Sequence, residues 1–146
     1  MREIEPEEFP QDIPHPSDHF AKLQSFKQLR FKNFTLRTDN VRDSFCVMHL
    51  QKYVRLRKVL RDPNTGAIYL LGNRFMMPRS LFTVDLPKMK VTSMDVGITI
   101  CNRPDSNLHS YLLSDLNEKC YAQPFKLDGS KNVNEEGDWV LCQYLH

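Results

Sequence analysis

Glycine is scarce in this chain of 146 residues, and its five glycines never form the G-x-G pairs that let backbone N–H groups approach a phosphate. Long apolar runs are also missing, since no stretch approaches the roughly 20 residues that a membrane helix requires. Residues 1–20 are acidic and rich in proline, whereas a secretory signal would be basic and then apolar. We therefore expect a soluble chain that is not exported and has no nucleotide-binding glycine loop.

Cysteine pairs of the kind that bind zinc are missing as well. Cys46, Cys101, Cys120 and Cys142 are spread singly along the chain, so no two of them stand at C-x-x-C spacing. We expect free, mostly buried thiols in a reducing compartment. Cys46 and His49 could be imagined as a nucleophile and its base, but nothing in the sequence supplies an orienting partner or an oxyanion site. We expect no catalysis, no metal and no cofactor.

Charge is unevenly distributed along the chain, although the net charge is only +2. Residues 22–90 hold fifteen lysines and arginines against four aspartates, a balance of +11. Residues 1–21 hold one arginine against six acidic residues, a balance of −5, and residues 91–146 hold four basic against eight acidic residues, a balance of −4. Such segregation indicates an interaction surface, although the solvated faces of β-strands also collect charge.

The spacing of prolines predicts two parts in the chain. Residues 1–16 carry four prolines and four glutamates, and we expect a flexible or extended acidic arm, because proline lacks the N–H that helices and sheets use. Residues 17–146 are expected to fold as one domain. Ser17 or Asp18 can cap a short N-terminal helix in which Phe20, Leu23 and Phe26 fall at helical spacing.

From Leu29 onward the apolar period is that of β-strands. LRFKNFTLR, residues 29–37, changes phase as a strand with a bulge near Lys32 and Asn33 would. Residues 52–76 predict a hairpin around the turn DPNTG, and its first strand slips in phase at Lys58, which indicates a strong bend. Strict alternation predicts a strand over residues 94–101. Further strands are predicted in SFCVMHL, KCYAQPF and WVLCQYLH, and a short strand or helical turn in SYLLSDL.

Short strands with almost no helix are typical of a small bent sheet or a partly open β-barrel. The fold class expected for this chain is therefore mainly β, with the short helix at its N-terminal side. A parallel α/β sheet is not expected, because no two strands are joined by a helix of adequate length.

Three short motifs, in this order, resemble those of the bromo-adjacent homology (BAH) domain. They are FMMPR at residues 75–79, LLSD at residues 112–115 and KC at residues 119–120. The resemblance covers about residues 40–146 and implies a BAH-like β fold that acts as a non-catalytic module of nuclear, chromatin-associated proteins. LLGNRFMMPR, residues 70–79, is also similar to the accessory segment that precedes the catalytic domain in fungal cytosine DNA methyltransferases. That likeness would make the chain a regulatory part of a larger enzyme.

The sequence departs from this family at the position of its aromatic cage. BAH domains that read trimethyl-lysine surround the quaternary ammonium with aromatic rings, whose faces attract cations. Asn73, Phe75, Met76 and Met77 stand in that segment here, so it does not supply the cage. Trp139 is the only tryptophan, and its place in the alternating last strand favours the core or a barrel end.

A strip of basic residues along the predicted hairpin is the candidate binding site. Phosphate contacts from such residues add salt-dependent affinity without reading sequence, so nucleosomal or duplex DNA is one expected partner and an acidic or histone protein is the other. Internal pairing with the acidic ends of the chain would instead leave this surface nearly neutral. We call the following residues the basic strip: Lys52, Arg55, Arg57, Lys58, Arg61, Arg74 and Arg79.

Two alternatives of other classes stay open. An OB-type domain would bind single-stranded nucleic acid by stacking bases on aromatic side chains such as Phe31, Phe34 and Tyr53, which a small barrel would equally use as core. A protein scaffold domain would have no affinity for nucleic acid. No membrane partner is expected, and retention on DNA at physiological salt separates the scaffold from the other two.

Overall fold

The computed structural model of the chain describes residues 23–125 and 137–143. This part is mainly β, and no helix of seven or more residues occurs in it. None of its helices is long or apolar enough to cross a membrane. Its strands are β1 Gln24–Phe26, β2 Gln28–Arg30, β3 Thr35–Arg37, β4 Phe45–Met48, β5 Lys52–Arg61, β6 Ile68–Arg74, β7 Arg79–Ser80, β8 Thr83–Leu86, β9 Met89–Thr92, β10 Ile98–Cys101, β11 His109–Leu112, β12 Leu116–Phe125 and β13 Asp138–Gln143. Short 3₁₀ turns span Val41–Asp43, Ser93–Val96 and Leu113–Asp115.

Nine of these strands form one antiparallel sheet. Eight follow each other in the order β11-β6-β5-β4-β12-β13-β10-β7, and β1 pairs with the second half of β5. β4 pairs with the first half of β5, so this ten-residue strand holds two neighbours on one edge and β6 on the other. The remaining four strands form the separate hairpins β2–β3 and β8–β9.

The β5–β6 hairpin confirms the prediction for residues 52–76. The Gly66 N–H donates to the Asp62 carbonyl at 2.7 Å, and Gly66 adopts a φ of 75° that a glycine accepts without strain. The ladder changes register between Leu56 and Lys58, which makes Arg57 the extra residue of a β-bulge. The predicted slip at Lys58 is therefore confirmed.

The two faces of the sheet bury different side chains. The first core cluster contains Val54, Leu56 and Leu70, and the β2–β3 hairpin covers it with partly buried side chains that include Phe31 and Phe34. Clusters two and three lie on the opposite face, because residues alternate between the two sides along a strand. We call this opposite face the groove face.

The groove face carries a cluster at each end of the β5–β6 hairpin. The second cluster is rich in aromatic rings and contains Phe45, Tyr53, Phe75 and Trp139. The third cluster lies near the DPNTG turn. It consists of Leu60, Ala67, Tyr69, Leu71 and Leu112, with Leu23 packed against it. The stretch of sheet between these two clusters holds polar residues.

The prediction of a short N-terminal helix is wrong for the residues of it that the structure describes. Gln24–Phe26 form β1, in which Ser25 is opposite Leu60, and Gln28–Arg30 form β2. The reason is a tertiary contact. β4 pairs only with the first half of β5, so the backbone of the second half is free to pair with β1, and this pairing outweighs the weak helical spacing of the apolar residues. Residues 17–22 lie outside the described residues.

The bulge predicted near Lys32 and Asn33 is also wrong, because these residues form the turn between β2 and β3. The Phe31 N–H donates to the Phe34 carbonyl at 2.9 Å, and the two rings lie 4.7 Å apart. A turn of two residues and a one-residue bulge both change the phase of the apolar pattern. The sequence pattern alone did not separate them.

The strand predicted over residues 94–101 is shorter than expected. Only Ile98–Cys101 form β10, and Ser93–Val96 form a 3₁₀ turn. The Thr92 N–H donates to the Asp95 carboxylate at 2.7 Å, and Gly97 ends the turn with a φ of 81°. This cap satisfies the backbone locally and overrides the alternation of residues 94–97.

The structure confirms the strands that the sequence predicts in the later part of the chain. β4, β12 and β13 confirm the predicted strands, and SYLLSDL contains both a strand and a 3₁₀ turn. The described strands form open sheets that do not close into a barrel, so the prediction is confirmed as far as a mainly β fold. The division into an arm of residues 1–16 and a domain of residues 17–146 stays a prediction. The polar loop of residues 126–136 lies outside the described residues.

Candidate functional site

The structure divides the basic strip between the two faces of the sheet. Cross-strand partners in an antiparallel ladder point to the same face. Arg55 is opposite Phe45 on one side and Asn73 on the other, and Lys58 is opposite Leu71. Arg55 and Lys58 therefore belong to the groove face. Arg57, the bulged residue between them, is exposed.

The other members of the basic strip lie elsewhere. Lys52 is opposite Met48 and Arg74 is opposite Val54, and both of these partners belong to the first cluster. Arg61 is opposite Ile68, which packs against the same cluster. The three residues therefore point to the face away from the groove. The seven residues of the strip do not form one surface.

Arg79 lies in β7 and is held by three groups of its own surroundings. Its Nη1 donates to the Met77 carbonyl and to the Asn102 amide oxygen, each at 3.0 Å. Its Nη2 lies 3.4 Å from an Asp138 carboxylate oxygen. Arg79 therefore joins β7 to the neighbouring connection and to β13.

A groove of about 910 Å³ opens on the groove face, between the β5–β6 hairpin and the connection from β10 to β11. Arg55, Arg57 and Asn73 line it from the hairpin, and Arg103 and Asp105 line it from the connection. Its apolar lining comes from Met76, Leu108 and Trp139. Three guanidinium groups and one carboxylate thus surround a space with an apolar side, and we call it the groove.

The side chains of two of these arginines have no partner among the described residues. Arg55 is half-buried and Arg103 is exposed, and neither guanidinium makes a hydrogen bond or an ion pair within residues 23–125 and 137–143. Arg57 differs, because its Nε donates to the Asn73 side-chain oxygen at 2.6 Å. Asn73 is buried and its amide donates to the Asn107 carbonyl at 3.0 Å. This chain of bonds fixes the Arg57 side chain at the groove wall.

Backbone hydrogen bonds attach the opposite wall to the end of the hairpin. The Asn102 N–H donates to the Met76 carbonyl at 2.8 Å, and the Asp105 N–H donates to the Arg74 carbonyl at 2.7 Å. An isolated β-bridge joins Phe75 to Pro104 between them. These contacts hold the connection against the end of the hairpin, where it forms the opposite wall of the groove.

Asp105 is the acidic residue of the groove, and its carboxylate supports this wall. One oxygen accepts the Asn107 N–H at 2.9 Å, and the other lies 3.0 Å from the His109 Nε2. The hydrogen bond from Asn107 and the bond to His109 hold the pKa of Asp105 below its usual value. Asp105 therefore stays ionised at neutral pH and partly offsets the positive charge of the three arginines.

Trp139 supplies the aromatic end of the groove. The residue is only 4% exposed, and its ring centroid lies 5.5 Å from that of Phe75 in an edge-to-face arrangement and 5.9 Å from that of Phe45. Such pairs stabilise the positions of the rings beyond the area that they bury. The predicted core position of Trp139 is confirmed, although part of the residue also borders the groove.

A glycine sets the distance between the two strands under the groove. Gly72 is opposite Leu56, next to the bulge, and a Cβ atom at this position would collide with the Arg55 carbonyl oxygen and with a Val54 methyl group. Only glycine allows this approach without a shift of the backbone. The positions of Arg55 and Arg57 thus depend on a residue that carries no functional group.

A family model for a domain of unknown function (DUF8592) matches residues 14–140 of the chain. The chain belongs to this family. No curated protein and no solved structure matches it.

Sequence reasoning missed the part of the DUF8592 groove that comes from outside the hairpin. Arg103 and Asp105 lie in NRPDSN, residues 102–107, which the sequence marks only as a break in the ladder. Asn73 offers a signal, since it is a polar residue that ends the apolar run IYLLG of residues 68–72. A buried polar side chain at the end of an apolar strand indicates a specific hydrogen-bonding role.

The aromatic residues considered for base stacking are buried or partly buried in this DUF8592 domain. Tyr53 is buried, and its hydroxyl lies 2.9 Å from the Thr99 hydroxyl. Phe31 and Phe34 pack against the first cluster. They contribute to the core of the fold.

The four cysteines are free thiols, and Cys46, Cys101 and Cys120 are buried. Burial raises the pKa of Cys46 and of Cys101 to about 12. Within residues 23–125 and 137–143, no three histidine, cysteine or acidic side chains come together as a group that could hold a metal ion.

Proposed function

We propose that this DUF8592 domain is a non-catalytic module that binds an acidic segment of a partner protein in its groove. The observation that carries the proposal is the pair Arg55 and Arg103, which line one groove and have no internal partner among the described residues. A guanidinium group presents a rigid fork of donors that matches a carboxylate. The described residues hold sixteen lysines and arginines against nine acidic residues, a balance of +7, which would attract such a segment.

The shape of the site favours a peptide over duplex DNA. A volume of about 910 Å³ lies within the range of ligand clefts, roughly 300–1,000 Å³. A duplex is a rod with phosphates along its length, so strong binding needs many basic residues on one surface. The basic strip that would supply them is divided between two faces. Asn102 also lines the groove, and its amide N–H groups can donate to a peptide carbonyl while its oxygen accepts from Arg79.

The motifs similar to the BAH domain support a place in the nucleus for this module, with an acidic stretch of a chromatin protein as its partner. The likeness of residues 70–79 to the accessory segment of cytosine DNA methyltransferases supports a regulatory role beside a larger enzyme. The single-strand alternative has less support, because Tyr53 is buried and Phe31 and Phe34 pack against the core.

Fluorescence anisotropy of the full chain tests the proposal with fluorescein-labelled decaglutamate as the probe. We expect the double variant R55Q/R103Q to bind at least about 10-fold more weakly than the wild type at low salt, which corresponds to about 1.4 kcal/mol for two lost charge-assisted contacts. Raising the salt to about 0.5 M should remove most of the wild-type affinity, because the contacts are ionic.

Arg61→Gln is the matched control for the single variant Arg55→Gln, since each removes one positive charge from β5 and the two residues lie on opposite faces. Arg61→Gln should change the affinity by less than about twofold, whereas Arg55→Gln should weaken it by more than that. Equal weakening by R61Q and R55Q would show non-specific attraction and would refute the groove as the site. Binding of a 20-base-pair duplex with no binding of decaglutamate would show instead that DNA is the ligand.

A further inference from the structure

We infer that the acidic N-terminal residues 1–21 of the chain occupy its own groove and compete with the partner segment. This inference rests on the proposed function, because it names how access to the same site is regulated. It is carried by the place where the described chain begins, by the length of the segment before it and by the complementary charges of the segment and the groove.

The described chain begins on the groove face. Leu23 packs against the third core cluster, whose members Leu60, Tyr69 and Leu71 point to this face. Asn73 of the groove follows Tyr69 and Leu71 along the same face of β6. Four residues of a strand span about 13 Å, at roughly 3.3 Å per residue, so the groove is a short distance from the point where residue 22 joins Leu23.

The length of the preceding segment suffices to cover the groove. Twenty-two residues in an extended conformation reach about 70 Å, and five or six of them span the distance from Leu23 to the hairpin centre. Residues 1–16 then remain available for the groove itself. Residues 1–16 include four prolines, and a proline-rich segment loses less conformational freedom on binding than a glycine-rich one.

The charges of the segment and the groove are complementary. Residues 1–21 carry a balance of −5, and the acidic residues concentrate at Glu3, Glu5, Glu7 and Glu8. Arg55 and Arg103 have no partner in the described part of the chain, and Lys58 on the route between Leu23 and the groove has none either. Phe9 lies next to these glutamates in sequence and supplies an apolar side chain for the Trp139 end.

Competition of this kind has a calculable size. A tethered segment has an effective concentration on the order of 1 mM, and a weak site with a Kd of about 100–500 μM for it would be occupied in most molecules. Its removal would then raise the affinity for an external acidic peptide by about 3- to 10-fold. The effect would shrink at high salt, together with the ionic contacts themselves.

The test uses the full chain and a matched pair of triple variants. E5Q/E7Q/E8Q removes three charges from the segment, and D39N/D62N/D85N removes three charges from described residues that do not line the groove. We expect E5Q/E7Q/E8Q to bind labelled decaglutamate about 3- to 10-fold more tightly than the wild type. D39N/D62N/D85N should bind it within about twofold of the wild type.

Trp139 provides a second measurement that needs no added peptide. It is the only tryptophan and it lines the groove, so its indole N–H gives one NMR signal from the site. We expect this signal to move between the wild type and E5Q/E7Q/E8Q, and to stay in place in D39N/D62N/D85N. R55Q/R103Q should abolish the gain in affinity that E5Q/E7Q/E8Q produces.

The outcomes separate this inference from the proposed function. If both triple variants gain affinity equally, net charge is the cause and the inference is wrong. If R55Q/R103Q weakens decaglutamate binding but E5Q/E7Q/E8Q changes neither the affinity nor the Trp139 signal, the proposed function stands and the inference fails. A shift of the Trp139 signal without any decaglutamate binding would keep the intrachain contact and refute the proposed function.

Discussion

Replacing Leu50 with asparagine should stabilise the fold. β4 and β5 are joined through His49, Leu50 and Gln51, and the φ values of Leu50 and Gln51 are 63° and 56°. Two successive residues with positive φ form the kind of hairpin turn that prefers Asn-Gly. Most residues with a Cβ lose about 1–2 kcal/mol in this conformation, whereas asparagine adopts it more readily because its short polar side chain can bond to the nearby backbone. Leu50 is 73% exposed, so its side chain contributes little packing in return.

We expect Leu50→Asn to raise the free energy of unfolding by about 1 kcal/mol, which for a domain of this size raises the Tm by about 3–5 °C. Gln51→Gly relieves the same conformation but removes the hydrogen bond from the Tyr53 hydroxyl to the Gln51 amide oxygen at 3.0 Å. That bond is worth about 1 kcal/mol, and glycine adds chain entropy to the unfolded state. Gln51→Gly should therefore be close to neutral.

Urea unfolding followed by circular dichroism measures both changes. Met89→Asn is the control, because it removes an aliphatic side chain that is 60% exposed from a position outside the residues with positive φ. It should give no gain in stability. A neutral or destabilising Leu50→Asn, or an equal gain from Met89→Asn, would show that backbone conformation is not what limits the stability of this turn.

Two further predictions concern the groove floor and the thiols. Gly72→Ala should lower the free energy of unfolding by about 2–3 kcal/mol, because the added Cβ collides with the backbone of β5. It should also weaken decaglutamate binding in the fraction that stays folded. Calorimetry measures the first effect and anisotropy the second, and an unchanged Tm would contradict the close approach of the two strands. The thiols should react slowly with a disulfide reagent at pH 8, except for the half-buried Cys142, so a rapid release of more than one equivalent would contradict the burial. The free energy of unfolding should also fall above about pH 9, because the Cys46 thiol ionises there in the unfolded chain, whereas in the folded chain it keeps its proton up to its pKa of about 12. Cys46→Ala should make this decrease with pH less steep. An equally steep decrease in Cys46→Ala would assign it to other groups.

The sequence predicts best where the structure is decided locally. The hairpin of residues 52–76 is recognisable because DPNTG fixes the turn chemistry and both strands keep their alternation up to one slip. The turn that depends on a side-chain cap was missed. The hydrogen bond between Thr92 and Asp95 forms it, but residues 94–101 still alternate between apolar and other residues in the sequence, as a strand would. β1 was missed because the open edge of β5 that it covers exists only in the folded sheet.

The candidate site was predictable only in part, for a related reason. The composition shows that residues 52–79 are basic, but the face to which each side chain points depends on the register at the bulge. A shift of one residue moves every later side chain to the other face. Arg57 and Lys58 could not be assigned to a face without the ladder. Arg103 could not be brought to Arg55 without the backbone contacts of its connection with the end of the hairpin. Non-local pairing is the information that one sequence lacks.

The position of β5 has a consequence for how this domain opens. It contributes Val54 to the first core cluster, Tyr53 to the second and Leu60 to the third, and it pairs with β1, β4 and β6. If β5 leaves the sheet, all three clusters therefore lose side chains and three ladders lose their hydrogen bonds. The amide protons of β5 should exchange with solvent only in whole-molecule opening events, whereas those of the β8–β9 hairpin, which shares no ladder with the main sheet, should exchange by local fraying.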